Sequence, residues 1–195
     1  MSNSSEDSVK RIVAFGDSLT TGFQSPSEDN PGGEATPYGE FLQEMLRDQA
    51  AVIVRGVNGE LTDDLLMRLG RDVLARDPDV VVVLGGANDL GWGAKPELIL
   101  RNLSTIYEKI RAKGALPVAV TVPSMLGMDS MIPGRRALNK LIADHCREND
   151  IPCVDLFTAT SEPDTGRLAA RYSNDGLHLS TEGYKLLAKL VYEIL

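Results

Sequence analysis

The run Val80-Val81-Val82-Val83-Leu84 restricts this chain more than any other stretch. A strand with one wet face alternates apolar and polar residues, whereas a run without alternation must be covered on both faces. Four further apolar runs recur: RIVAF at 11–15, AVIVR at 51–55, LPVAVTV at 116–122 and IPCVDL at 151–156. Between them FLQEMLRDQ, DDLLMRLGRDVLARD, ELILRNLSTIYEKIRAKG, RRALNKLIADHCREN and TEGYKLLAKLVYEIL carry apolar residues at helical spacing. Strand alternating with helix predicts a parallel sheet with helical crossovers, hence an α/β fold: a three-layer α/β/α sandwich. Five strands suggest the flavodoxin-like order 2-1-3-4-5, in which ligands bind at the carboxyl ends of the strands where the winding reverses. The turns after the first and third strands should therefore carry the site.

At 195 residues the chain needs only one core. Residues 10–195 are expected to form a single domain, with the polar stretch 1–9 as a frayed tail. The start MSNSSEDSVKR lacks the apolar segment of a secretory signal, and no run reaches the ~18 apolar residues of a membrane span. The net charge is −8, and lysines and arginines are scattered, which disfavours nucleic acid as a partner. Stable membrane insertion is likewise not expected, and a homo-oligomer is not indicated. Cys146 and Cys153 lack metal-ligand spacing and read as buried free thiols, which suits a reducing cytoplasm.

Gly16-Asp17-Ser18, inside GDSLTTG, occupies the first strand-to-helix turn. Serine and aspartate are preferred helix caps, so the tripeptide alone leaves open whether Ser18 caps a helix or attacks a substrate. The second strand runs into GVNGELT, where the Gly59 amide can point into a cleft or merely serve a turn. The third opens into LGGANDLGWG, where the Asn88 carboxamide can donate to developing negative charge or fill a turn position. Asp89 reads as fixing that turn by bonding nearby amides.

Of the two histidines, His145 follows Leu141 and Ile142 on a helix and borders a packed face, which reads as structural. His178 lies in NDGLHLSTEGY with two residues between it and Asp175. A carboxylate at that spacing can accept from imidazole Nδ1–H and leave Nε2 free to take a proton.

These four blocks resemble the SGNH hydrolases, the GDSL lipase and esterase family, in residue and in order: Ser18 within GDSL, Gly59 within GVNGELT, Asn88 within GAND and His178 within DGLH. Asn58-Gly59-Glu60 stands where members often have Ser-Gly-Asp, a mild departure because the expected contribution is the Gly59 backbone N–H. The resemblance implies Ser18 as nucleophile, His178 as base and Asp175 as its orienter. It also implies an oxyanion hole from the Ser18 and Gly59 N–H groups and the Asn88 side chain.

The expected chemistry is hydrolysis of short- to medium-chain acyl esters through an acyl-enzyme, without metal or cofactor. Lysophospholipid, thioester and acetylated-carbohydrate cleavage are the alternatives within the family. A flavodoxin-like module binding an anion at its helix N-termini is the non-enzymatic rival. For substrate contacts the candidates are Asp17, Trp92 in GWG, and Met125, Leu126 and Met128 in PSMLGMDSMIPG, where flexible thioethers suit varied chains. Core packing or a subunit contact is the competing role of that loop. The two long segments, 23–37 and 123–134, are the candidates for movement on binding.

Overall fold

The all-valine run becomes the centre of the sheet. A computed structural model describes residues 9–28 and 30–195; apart from Val9, the expected tail therefore lies outside the described residues. In chain order the elements are β1 (Lys10–Gly16), α1 (Ser18–Thr21), β2 (Phe23–Gln24), β3 (Glu34–Ala35), α2 (Tyr38–Leu46) and β4 (Ala50–Gly56). There follow α3 (Thr62–Asp72), β5 (Val80–Leu84), α4 (Ala87–Gly91), α5 (Pro96–Ala112), β6 (Leu116–Val120) and α6 (Ile132–Glu148). The chain closes with β7 (Cys153–Val154), α7 (Leu156–Thr160) and α8 (Thr181–Tyr192).

The main sheet has the order β4-β1-β5-β6-β7, and every pairing is parallel. Counting only its five strands along the chain, this is 2-1-3-4-5, the order expected from the sequence. Helix α2 packs against α8, and α5 packs against α3 and α6, so both faces are covered. All five residues of β5 are buried. Burying a valine side chain is worth roughly 1.5–3 kcal/mol relative to leaving it exposed, so β5 and its neighbour β1 anchor the core.

The edges depart from the simple reading. β4 has only one neighbour and is half-buried along most of its length. The stretch expected as a strand over 151–156 pairs through two residues only, because the Asp155 carboxylate accepts from Thr158 N–H and starts α7 at once. Likewise α2 stops at Leu46, short of Gln49: Gln43 Nε2 donates to the Arg47 and Ala50 carbonyls while its Oε1 accepts from Val52 N–H. Beyond β6, the Asn139 side chain takes the place of a neighbouring strand and bonds both backbone groups of Val122 at 2.8 Å.

The long segments are also more ordered than loops. Within 23–37 the short strands β2 and β3 pair antiparallel, and buried Gln24 ties them to Thr36 and to Thr181 of α8. The 123–134 segment ends at Met131, because α6 begins at Ile132 with a proline in its first turn, where a missing N–H costs nothing. Cys146 is buried and Cys153 half-buried, both as free thiols. His145 stacks along Tyr107, ring centroids 6.1 Å apart. No helix among the described residues is long and apolar enough to cross a membrane.

Candidate active site

The first turn shows which residue caps the helix. Asp17, not Ser18, is the N-cap of α1: its Oδ1 accepts from Leu19 N–H at 2.9 Å. The Ser18 hydroxyl is thereby released to other work. Gly16 is required just before it, since a Cβ there would come within 2.1 Å of the Leu84 carbonyl oxygen. That close approach seats the Ser18 turn against the segment leaving β5.

Side-chain bonds then stitch three turns together. Thr21 Oγ1–H donates to Asn58 Oδ1 at 2.7 Å, joining the turns after β1 and β4. Asn88 Nδ2 donates to the Glu60 carbonyl at 2.9 Å, joining the turns after β4 and β5. Buried Asp89 accepts from both the N–H and the hydroxyl of Thr62, which fixes the start of α3 and uses the favourable placement of an anion at a helix N-terminus. Arg68, almost wholly buried, pairs with Glu60, reaches the Gly16 and Arg55 carbonyls and lies over the Phe15 ring.

This clamp leaves donors unspent. Neither the Ser18 nor the Gly59 N–H has an acceptor among the described residues. Gly59 takes φ +79°, a left-handed conformation that glycine adopts without strain. Asn88 has a second amide hydrogen beyond the one given to Glu60. All three residues line one cleft of about 270 Å³, together with Phe23, Leu177 and His178.

From the other side comes the segment before α8. Asp175 Oδ1 accepts from the N–H groups of Leu177 (2.9 Å) and His178 (2.7 Å), curling the chain back on itself. Its Oδ2 accepts from the Ser25 hydroxyl (2.6 Å) and from His178 Nδ1 (2.7 Å). An ionised carboxylate can only accept, so Nδ1 carries the ring proton and Nε2 presents a lone pair. Nε2 lies 3.1 Å from Ser18 Oγ, which closes an unbroken chain from Asp175 through His178 to Ser18. Phe23 meets the imidazole edge-on, centroids 4.8 Å apart.

The two aspartates that flank Ser18 are tuned in opposite directions. Partial burial raises the Asp175 pKa, but the Ser25 hydroxyl, the His178 ring and the two backbone N–H groups outweigh it and hold the carboxyl well below the usual range. Asp17 is wholly buried, and burial pushes it up to about 7 against the pull of Leu19 N–H and the Arg135 charge, with Asp89 adding to the rise. Asp17, expected at the substrate, is therefore corrected: no substrate atom can reach it.

A second cleft of about 380 Å³ adjoins the first through Asn88 and Leu177. Met125, Met128 and Met131 line it, with Trp92 on its rim at 83% exposure. Leu126, also expected at the substrate, lines neither cleft; its N–H instead donates to the Gly176 carbonyl at 2.9 Å and braces the histidine segment. Sequence reasoning missed Ser25, Arg68 and Arg135, whose partners lie far along the chain. Among the described residues no group of three or more His, Cys, Asp or Glu side chains could hold a metal ion.

The chain is similar in sequence and fold to known proteins. An arylesterase of Vibrio mimicus is 31% identical over 116 residues, covering 58% of this chain and 54% of that protein. The uncharacterized lipoprotein YqeF of Bacillus subtilis is 24% identical over 215 residues, covering 93% of this chain and 86% of its own. The lipase/acylhydrolase from Enterococcus faecalis superposes with a TM-score of 0.79 at 28% identity, over 94% of each chain. Residues 14–186 match the GDSL-like Lipase/Acylhydrolase family, and on that span the chain belongs to it as a hydrolase acting on esters.

Proposed function

We propose that the protein is a serine carboxylesterase that cleaves short- to medium-chain acyl esters through a covalent acyl-enzyme. The observation that carries this reading is the continuous hydrogen-bonded path Asp175–His178–Ser18. His178 Nε2 takes the Ser18 proton as Oγ attacks the ester carbonyl, and the Asp175 carboxylate stabilises the imidazolium that forms. The carbonyl oxygen becomes an oxyanion facing the Ser18 N–H, the Gly59 N–H and the free Asn88 amide hydrogen. Collapse expels the alcohol, which receives the proton from His178. Water, deprotonated by the same ring, then releases the acid and restores Ser18.

The methionine-lined cleft beside Asn88 suits the acyl chain, since apolar thioethers adapt to chains of different length. Residues 10–195 act as one catalytic domain. The free thiols of Cys146 and Cys153 support a reducing, cytoplasmic setting. Hydrolysis of p-nitrophenyl acetate, butyrate, hexanoate and octanoate tests the reading, with Ser18→Ala as its control. Turnover by the wild type should fall to background in Ser18→Ala with the melting temperature little changed. Persistent turnover by Ser18→Ala would remove the nucleophile from the account.

A further inference from the structure

The cleft proposed to receive the acyl chain is mostly apolar, and besides Asn88, which it shares with the first cleft, only Arg135 is polar in its lining. Arg135, in the first turn of α6, contributes to its lining and is only 1% exposed. A buried guanidinium normally spends its five N–H donors on carboxylates or carbonyls. This one donates from Nη1 to the Pro123 carbonyl at 2.6 Å, while its buried Nε–H has no acceptor. No carboxylate belongs to the lining, and the one acid whose charge acts on Arg135, the buried Asp17, makes neither a hydrogen bond nor a salt bridge to it among the described residues. The Asp17 Oδ2 atom is itself without a donor.

We propose that Arg135 determines specificity, selecting esters whose acyl chain ends in a carboxylate, the half-esters of dicarboxylic acids, over esters with a plain alkyl chain. This rests on Ser18 as nucleophile and on the methionine-lined cleft as the acyl site. A plain alkyl chain filling the cleft leaves unsatisfied an arginine that already has too few partners, which is costly. A terminal carboxylate supplies the missing acceptor through charge-assisted bonds, and its planar shape suits the guanidinium fork. Three methionines and Trp92 supply the apolar wall for the methylenes between the two ends. A site built to bond a polar group discriminates strongly against the analogue lacking it, far more than an apolar pocket discriminates between chain lengths.

The test uses p-nitrophenyl half-esters of adipic and suberic acid beside the same compounds capped as methyl esters. The reading is the ratio of kcat/KM for free acid to capped ester. The wild type should prefer the free acid by at least about 10-fold at one length. In Arg135→Met the ratio should fall below one, and in Arg135→Lys it should lie between. A wild-type ratio at or below one at both lengths overturns the proposal, whether or not the methionine variant folds. A ratio unchanged in folded Arg135→Met overturns it equally. Hydrolysis of capped esters without preference sinks only this inference, whereas failure to hydrolyse any of the esters sinks the esterase reading beneath it.

Discussion

The turn that carries Ser18 and the segment that carries His178 are held by opposite means. Ser18 sits at the end of the buried central strand β1 beside β5, in a turn joined by Thr21–Asn58 to the turn after β4, which Asn88–Glu60 and Thr62–Asp89 tie in turn to the one after β5. His178 sits in a stretch with an isolated bridge, Ser173 to Leu179, and backbone bonds from Leu126 and Asn174, and its ring takes its orientation from the four hydrogen bonds converging on Asp175. Sheet topology places the nucleophile; one carboxylate orients the base. Damage to a single polar group should therefore be far more costly on the base side.

Asp175→Asn tests that asymmetry most severely. An amide at this position can donate to Nδ1 and favour the wrong imidazole tautomer, so kcat should fall on the order of 10³–10⁴-fold with the fold retained. A loss below tenfold would mean that the histidine segment is positioned without the carboxylate. On the nucleophile side Asn88→Ala removes one of three proposed oxyanion donors, and kcat should fall about 10²–10³-fold with KM little changed. An effect mainly on KM would turn Asn88 into a binding group.

The smallest effect concerns stability and the aspartate under Ser18. In the unfolded chain an aspartate ionises near 3.8, whereas Asp17 in the fold is pushed up to about 7. Between those values the folded state binds more protons, so this group makes stability fall as pH rises from about 4 to about 7. Its slope approaches about 1.4 kcal/mol per pH unit at most. Asp17→Asn keeps the oxygen that caps α1 and removes the titration. Urea unfolding across that range should give a flatter pH profile for the variant; equal slopes would show that Asp17 does not titrate there.

What the sequence disclosed follows the same division. The valine run and the helical spacing between strands imply the sheet order, and strand ends then bring the turns with Ser18, Gly59 and Asn88 side by side. Asp175 and His178 were legible because their bond is local. Asp17 misled because its position beside Ser18 suggested access, while its capping bond to Leu19 turns the carboxylate inward. Leu126 misled similarly, as an apolar residue in a promising loop that instead braces Gly176 through a backbone bond. Ser25 was illegible because its partner Asp175 lies 150 positions away. Arg135 gave no signal either, since an Arg-Arg pair at the start of an amphipathic helix looks like surface until packing closes over one of the two.

The central claim is that His178 activates Ser18 across the cleft. A fluorophosphonate probe reacts with an activated serine hydroxyl and spares one that only lies near a helix end. Intact-mass analysis followed by peptide mapping should find one adduct, on Ser18, formed by the wild type and lost in His178→Ala. An unlabelled wild type, or labelling of Ser18 at an unchanged rate in His178→Ala, would contradict the account.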